Sequence, residues 1–259
     1  MNFKNGYSDA NGIRIYYEIY GEGEPLVLLH GGGSTIQSSF GRIIPLLEKN
    51  CQVIAVELQN HGRSGNRNIP QTFEQDADDV AVLLNNIGIS KASFFGFSNG
   101  GTTAMQIAIR HPQIVNKLVL AAATYKRSGL IQGFFEMMSH ASIDNMPAEL
   151  KTAFLEVNPD AAKLQIMFER DRDRMINFKD ISDELVMSIN APTLVINGDI
   201  DVTTTEHAVE IYRRIPNAQL AIIPGGHGKY IGEITTLGNG NRGMDFVIEI
   251  ILEFLSNHK

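Results

Sequence analysis

The pentapeptide Gly96-Phe97-Ser98-Asn99-Gly100 has the residue types and spacing of a nucleophilic site. It matches the pattern Gly-x-Ser-x-Gly, follows an apolar run and precedes a helical pattern that begins near Asn99. Small residues on both sides of a serine allow a sharp turn, and the following helix directs its free N–H groups towards the serine hydroxyl. We therefore predict that Ser98 is a nucleophile. The alternative is a serine that only caps the helix.

A serine hydroxyl is weakly nucleophilic at neutral pH, so it needs a base, and the base needs an orienting carboxylate. His227 follows one short apolar run, and Asp199 and Asp201 both follow another. If these runs are parallel strands, the loops after them lie with Ser98 at one edge of the sheet. The chain order serine, aspartate, histidine is the order of serine triads built on a strand–turn–helix elbow. The sequence thus predicts His227 as the base, with Asp199 or Asp201 as its acid.

Acyl transfer also requires N–H donors for the negative charge that develops on the substrate carbonyl oxygen. The backbone N–H of Asn99 is one candidate, because this residue opens the helix after Ser98. The other candidate is the N–H of Gly32 in the turn His30-Gly31-Gly32-Gly33, since glycine lets the backbone approach a substrate closely. We expect these two amides to form an oxyanion hole.

The same glycine turn permits a different function. Gly31 and Gly33 after a buried strand, with the acidic Glu57 further along, are similar to the start of a dinucleotide-binding unit. Ile36 stands where the third glycine of that fingerprint is required, and a dinucleotide site leaves the Ser98 pattern unexplained. We therefore favour acyl transfer, which needs no cofactor.

The elements that position these residues are predicted from hydrophobic patterns. Asn11-Gly12 before the β-branched and aromatic residues 13–20 indicates one or two antiparallel edge strands. Six later runs are almost wholly apolar, as in strands covered on both faces of a parallel sheet. They are residues 26–29, 53–56, 92–97, 118–122, 193–196 and 220–223. Helical spacing between them covers residues 73–87, 99–110, 206–214 and 244–255.

Residues 124–190 interrupt the alternation of strands and helices, and their apolar residues recur at helical spacing. This predicts a helical insertion. The alternating charges at residues 169–174 indicate a solvated helix face. Four large apolar residues of the insertion either line an apolar substrate pocket or form the insertion's own core. These residues are Phe134, Phe135, Met137 and Met138.

Composition narrows the partners of this chain of 259 residues. With 22 Lys+Arg against 29 Asp+Glu the net charge is −7, which argues against nucleic acid or an anionic membrane as a partner. Cys51 is the only cysteine, so neither an internal disulfide nor a cysteine-rich metal site is expected. The sequence has no signal-peptide core or bilayer-length apolar run, which predicts a cytoplasmic protein. We expect a small-molecule substrate, whereas the oligomeric state is not predicted.

These motifs together resemble the α/β-hydrolase superfamily over essentially the whole chain. The turn at residues 30–33 is similar to its oxyanion loop, residues 96–100 to its nucleophile elbow, and residues 226–227 to its histidine loop. Residues 198–201 are similar to its acid loop, in which the last aspartate is the triad member, so the resemblance favours Asp201 over Asp199. Residues 57–64 depart from the family motif that they resemble, and no role is transferred to them.

The resemblance implies an α/β fold: a mostly parallel sheet with helices on both faces. Residues 1–123 and 191–259 would form the core, and residues 124–190 a helical cap over the site. It implies a serine hydrolase that cleaves a small carboxylic ester with Ser98, Asp201 and His227. A perhydrolase or haloperoxidase-like enzyme, a lactonase, an amidase or a C–C bond hydrolase would use the same residues. An alternative of another class is a non-catalytic protein that binds a small ligand. The other histidines, His30, His61, His111, His140, His207 and His258, are expected to be structural or exposed.

Overall fold

The computed structural model of the chain describes residues 3–239 and 243–257. Within these residues one eight-stranded sheet is flanked by helices. The strands are β1 (Lys4–Ala10), β2 (Ile13–Tyr20), β3 (Pro25–Leu29), β4 (Gln52–Val56), β5 (Ala92–Phe97), β6 (Val115–Ala121), β7 (Thr193–Gly198) and β8 (Ala218–Ile223). The α-helices are α1 (Ile36–Phe40), α2 (Ile44–Leu47), α3 (Phe73–Asn86), α4 (Asn99–Arg110), α5 (Phe134–Ser139), α6 (Ala148–Val157), α7 (Ala161–Ile176), α8 (Asp183–Met187), α9 (Thr205–Arg214) and α10 (Met244–Ser256). Short 3-10 turns occupy Pro112–Ile114, Arg127–Gly129, Ile143–Asn145, Lys229–Ile231 and Ile234–Asn239.

The sheet has the strand order β1-β2-β4-β3-β5-β6-β7-β8. Six consecutive strands of this order are parallel to one another: β4, β3, β5, β6, β7 and β8. Strand β2 is antiparallel to both of its neighbours, β1 and β4. The predicted mostly parallel sheet is therefore confirmed. All six apolar runs that were predicted from the sequence form strands, and helices separate them as the hydrophobic patterns predicted.

Two strands differ from the prediction in their place in the sheet. Strand β2 was expected at an edge, but β1 covers it, because Asn11 and Gly12 both have positive φ and turn the chain back on itself. Strand β8 was expected to be covered on both faces, yet it is the last strand and most of its residues are partly exposed. Its apolar residues do not distinguish an edge strand from a central one, because burial depends on the neighbouring elements.

Each face of the sheet buries its own apolar core. Helices α3, α4, α8 and α9 pack on one face, and α1, α2 and α10 pack on the other. Strands β5 and β7 are buried along their whole length. The carboxyl ends of the parallel strands are consequently held at one edge, where the loops after β3, β5, β7 and β8 meet.

Four α-helices, α5 to α8, lie in the segment between β6 and β7. The prediction that residues 169–174 form a solvated face is wrong for two of them. Asp171 and Arg174 are buried, with 7% and 5% of their surface exposed, whereas Glu169 and Asp173 are exposed. These side chains alternate in charge along the sequence, but only those on the inward face of α7 meet the core.

The large apolar residues of this segment favour one of the two roles considered for them. Phe134, Phe135 and Met138 pack against a small core formed by Phe73, Leu130, Met175 and Phe178. Met137 is 56% exposed. Packing of the segment against α3 therefore accounts for three of the four residues without a substrate pocket.

In the part of the chain that the structure describes, no helix has the length and apolar character needed to span a membrane.

Candidate active site

Ser98 lies at a strained turn between β5 and α4. Its φ of 54° and ψ of −121° place a non-glycine residue in a region that side chains seldom adopt. Its backbone N–H donates to the carbonyl oxygen of Ala121 on β6 over 2.8 Å. A β-carbon on Gly96 would overlap the carbonyl of Gly100, and a β-carbon on Gly100 would overlap the carbonyl of Leu29. Only glycine fits at these two positions, so the pattern is required by the geometry of the turn.

His227 and Asp201 come together beside this serine. The Nε2 atom of His227 lies 3.1 Å from the hydroxyl oxygen of Ser98, and its Nδ1 atom lies 2.6 Å from Asp201 Oδ1. The Asp201 side chain is fully buried, and the same oxygen accepts the backbone N–H of Val202 over 2.7 Å. Burial in this hydrogen-bonded setting fixes the orientation of the carboxylate.

Asp199, the competing acid, does not reach the histidine ring. It is exposed, and its Oδ1 accepts the backbone N–H of Gly225 over 2.7 Å, which closes the loop after β8. Both aspartates follow β7, but the turn at residues 198–201 directs only Asp201 inward. The structure therefore brings together Ser98, Asp201 and His227.

The predicted oxyanion residues lie next to each other. A β-carbon on Gly32 would lie 2.5 Å from the side-chain nitrogen of Asn99, and one on Gly31 would lie 3.5 Å from the β-carbon of Ser98. Asn99 is the first residue of α4, where a backbone N–H has no partner within the helix. Among the residues described, neither the Gly32 nor the Asn99 amide donates to a protein acceptor. Both amides are thus available near the Ser98 hydroxyl.

Glu233 is a buried carboxyl group near the histidine that the sequence reasoning missed. It is 4% exposed and accepts the backbone N–H of Thr235 over 2.8 Å. Burial raises the pKa of Glu233, while the Thr235 hydrogen bonds and the nearby His227 oppose this rise. Its side chain lies against the position that a β-carbon on Gly228 would occupy. No local pattern signals such a residue, because its burial depends on the loop after His227 folding under the site.

The remaining histidines that the structure describes lie outside this group. His30 and His61 are buried with their rings 4.7 Å apart, and His207 stacks on Tyr125. His111 pairs with an aspartate of α3, and His140 is exposed. His258 lies outside the described residues.

The loop at residues 57–64, which departs from the family motif, is held by buried ion pairs of Arg63. Buried Glu57 accepts hydrogen bonds from the backbone N–H and guanidinium of Arg63, and Arg63 also pairs with buried Glu18. Burial raises the pKa of Glu57, while Arg63 opposes the rise.

In residues 3–239 and 243–257 no group of three or more His, Cys, Asp or Glu side chains is arranged to hold a metal ion.

Comparison with known proteins agrees with this fold. Residues 24–150 match the model of a family described as having the alpha/beta hydrolase fold. The chain is 27% identical to a putative non-heme chloroperoxidase of Synechocystis sp. (strain ATCC 27184 / PCC 6803 / Kazusa) in an alignment 254 residues long. That alignment covers 85% of this chain and 90% of that protein. It is also 27% identical to the serine hydrolase BPHL of Homo sapiens in an alignment 233 residues long. That alignment covers 84% of this chain and 77% of that protein. A solved serine hydrolase involved in carbazole degradation, the CarC enzyme, superposes with a TM-score of 0.80 at 22% identity, covering 98% of this chain and 99% of that chain. The chain therefore has the α/β-hydrolase fold, and its residues 24–150 match the family of that name.

Proposed function

We propose that the protein is a serine hydrolase that cleaves a small carboxylic ester through an acyl-enzyme. The observation that carries the proposal is the hydrogen-bonded chain from the Ser98 hydroxyl through the His227 ring to Asp201, at 3.1 and 2.6 Å. A serine held at positive φ in front of a helix N-terminus, with a base and a buried carboxylate in line, is the arrangement that nucleophilic acyl transfer needs.

In the first half of the reaction, the Ser98 oxygen forms a bond to the carbonyl carbon of the ester while its proton passes to His227 Nε2. Asp201 accepts the Nδ1–H of His227 and stabilises the imidazolium that forms. The carbonyl oxygen gains negative charge and accepts the backbone N–H groups of Gly32 and Asn99. The bond to the leaving alkoxide then breaks, and His227 gives its proton to the departing alcohol.

In the second half, His227 takes a proton from a water molecule whose oxygen bonds to the acyl carbon on Ser98. The same two amides stabilise the second oxyanion. Collapse of this intermediate breaks the bond to the Ser98 oxygen, which recovers its proton from His227. The products are a carboxylic acid and an alcohol, and no cofactor takes part in these steps.

The surroundings of the oxyanion loop support a small, uncharged acyl group. A β-carbon on Gly33 would lie 3.2 Å from the terminal methyl of Met146 and 3.9 Å from a methyl of Leu150. Apolar side chains therefore lie close to the oxyanion loop. Two carboxyl groups are buried close to the site: Asp171 accepts the Gly33 N–H, and Glu233 lies near His227. An acyl chain carrying its own carboxylate would be repelled by them.

The helices between β6 and β7 support a cap role for residues 124–190. Helix α6 contributes Leu150 to the surroundings of the oxyanion loop, and α7 contributes Asp171. We infer that this segment covers the acyl side of the site, while residues 1–123 and 191–259 provide the nucleophile, base and acid.

A second candidate is perhydrolysis, which the 27% identity to a protein named a putative non-heme chloroperoxidase favours. Hydrogen peroxide would replace water as the acceptor of the acyl group on Ser98, and a peracid would leave. Oxidation of bromide in acetate buffer with added peroxide measures this activity, and Ser98→Ala should abolish it.

Labelling with a fluorophosphonate probe tests the proposed function. We expect the wild-type protein to be labelled at Ser98 alone, with loss of labelling in Ser98→Ala and full labelling in Ser139→Ala, a control at an exposed serine of α5. Labelled protein should also lose its activity towards p-nitrophenyl esters. A folded wild-type protein that is neither labelled nor active would instead indicate a protein that binds a small ligand without turning it over.

A further inference from the structure

Asp171 connects helix α7 to the oxyanion loop. Its Oδ2 atom accepts the backbone N–H of Gly33 over 2.7 Å, although the two residues are 138 positions apart in the sequence. A β-carbon on Gly32 would lie 2.5 Å from the same oxygen. The other carboxylate oxygen lies 3.5 Å from the side-chain nitrogen of Asn99. One buried carboxylate therefore touches the loop that carries one proposed oxyanion donor and the residue that carries the other.

The Asp171 side chain is held in one orientation by charged neighbours. Arg174, one turn later on α7, pairs with it and also with Asp76 of α3 over 2.6 Å. The ring of His61 lies 3.4 Å away. Burial disfavours the ionised carboxyl, but the Arg174 guanidinium and the hydrogen bond from the Gly33 N–H hold the pKa of Asp171 below its usual value. The group is accordingly an ionised acceptor at neutral pH, with a fixed direction.

The contacts on each side of Gly32 determine where its N–H points. The peptide unit that contains the Gly32 N–H also contains the Gly31 carbonyl oxygen, to which the Nδ1–H of His30 donates over 2.8 Å. The next peptide unit is oriented by Asp171, which accepts the Gly33 N–H. Gly33 has a φ of 67°, so the loop changes direction at this residue. Because both peptide units are held, the Gly32 N–H keeps one direction without a hydrogen bond of its own.

We propose that Asp171 is a positioning residue that sets the Gly32 and Asn99 amides for the oxyanion, a role that rests on the proposed hydrolase function. The cap segment then contributes to the chemistry through the loop, in addition to covering the substrate. Preorganised donors act on the transition state because they are already aimed at the place where charge develops.

Electrostatics and positioning make opposite predictions for removal of this carboxylate. A negative charge near the developing oxyanion raises its energy, so loss of the charge alone would raise the rate. Loss of the acceptor for Gly33 N–H would free the loop and lower the rate. A side chain that only supports the fold would change thermal stability and leave the kinetics of the folded enzyme unchanged.

The test compares Asp171→Asn and Asp171→Ala with Asp173→Asn, a control on the exposed face of the same helix. Hydrolysis of p-nitrophenyl acetate is measured per active site, with sites counted by fluorophosphonate titration. We expect Asp171→Asn to lower kcat less than Asp171→Ala, because its amide oxygen can still accept the Gly33 N–H. In Asp171→Ala, kcat should fall about 10- to 100-fold, less than the loss of a whole oxyanion donor, with KM within about threefold of wild type. Affinity for a trifluoromethyl ketone, whose serine adduct carries the oxyanion, should fall by a similar factor. Asp173→Asn should match the wild type.

Equal or higher kcat per site in Asp171→Ala would overturn the proposal, as would an equal loss in Asp173→Asn. The asparagine variant keeps the volume of the side chain, so failure to recover it in folded form would show a role in stability alone and would also overturn the proposal. These results differ from failure of the proposed function itself, in which the wild-type enzyme neither hydrolyses the ester nor reacts with the probe.

Discussion

Gly100, in the first turn of α4, packs so tightly against the end of β3 that a β-carbon on it would overlap the carbonyl oxygen of Leu29. The next residue after Leu29 is His30, where the oxyanion loop begins. This contact therefore holds the turn at Ser98 against the loop that carries Gly32. The distance between the Ser98 hydroxyl and the Gly32 N–H depends on this close backbone contact, which only glycine at position 100 allows.

The first prediction concerns this contact. Gly100→Ala should lower the free energy of unfolding by about 3 kcal/mol, because an added methyl meets backbone atoms that cannot rotate away. Urea denaturation measures the change. Gly243→Ala is the control, since Gly243 has a φ of −100° and a β-carbon there would meet no atom of the described residues within 4 Å. Equal stability of the two variants would contradict the close approach at the elbow.

The second prediction separates the two aspartates after β7. Asp201→Asn should lower kcat about ten-thousandfold, because the His227 ring loses the acceptor that orients it and stabilises its positive charge. Asp199→Asn should retain activity within a few-fold, because its amide oxygen still accepts the Gly225 N–H. Steady-state hydrolysis of p-nitrophenyl acetate provides the comparison. The assignment fails if Asp199→Asn is the more damaging change.

The third prediction concerns the buried charges of α7. Arg174→Met should reduce the free energy of unfolding by about 3 to 5 kcal/mol, because Asp76 and Asp171 lose the cation that both contact. Arg172→Met, two residues earlier, removes a partly exposed partner of Asp173 and should cost less than about 1 kcal/mol. Chemical denaturation at neutral pH distinguishes them. Similar losses for both arginines would indicate that the buried pairs do not stabilise the fold.

The fourth prediction follows from the raised pKa of Glu233, which burial produces. The folded protein binds a proton at this carboxyl more tightly than the unfolded chain does, so the contribution to stability is present at low pH and is lost as pH rises through the raised pKa. Glu233→Gln removes that loss. Its Tm should exceed the wild-type Tm at pH 7, and the difference should shrink towards pH 4.

Thermal melts between pH 4 and pH 8 measure this difference, with Glu249→Gln on the exposed face of α10 as the control. A Tm difference that is constant across this pH range would show that the carboxyl does not carry the effect.

The fifth prediction concerns acyl chain length. Met146→Ala should increase kcat/KM for p-nitrophenyl hexanoate relative to acetate, because the methionine methyl approaches Gly33 at the oxyanion loop. Met137→Ala changes an exposed residue and should leave the ratio at its wild-type value. If wild-type enzyme already prefers long chains, the small-acyl proposal is wrong, whatever the variant does.

Much of the fold is predictable from local patterns. Short apolar runs identified the parallel strands, because a strand covered on both faces must be apolar throughout. Helical spacing and helix-ending residues gave bounds close to those of α3, α4, α9 and α10. The glycines at 96 and 100 indicated a tight turn, because that geometry excludes side chains. These features depend on a few neighbouring residues, so they are visible without the rest of the chain.

Burial of polar groups and the choice among equivalent residues are decided by tertiary packing. Asp171 and Arg174 belong to a run of alternating charges, and the docking of α7 on α3 and the oxyanion loop determines which of them are enclosed. Asp199 and Asp201 both lie in the loop directly after β7, yet only Asp201 faces the imidazole. Local sequence patterns are enough to predict the strands, the helices and the turn that exposes Ser98. Which distant side chains reach that turn depends on tertiary packing, because contacts between residues far apart in the chain depend on the direction in which whole elements pack.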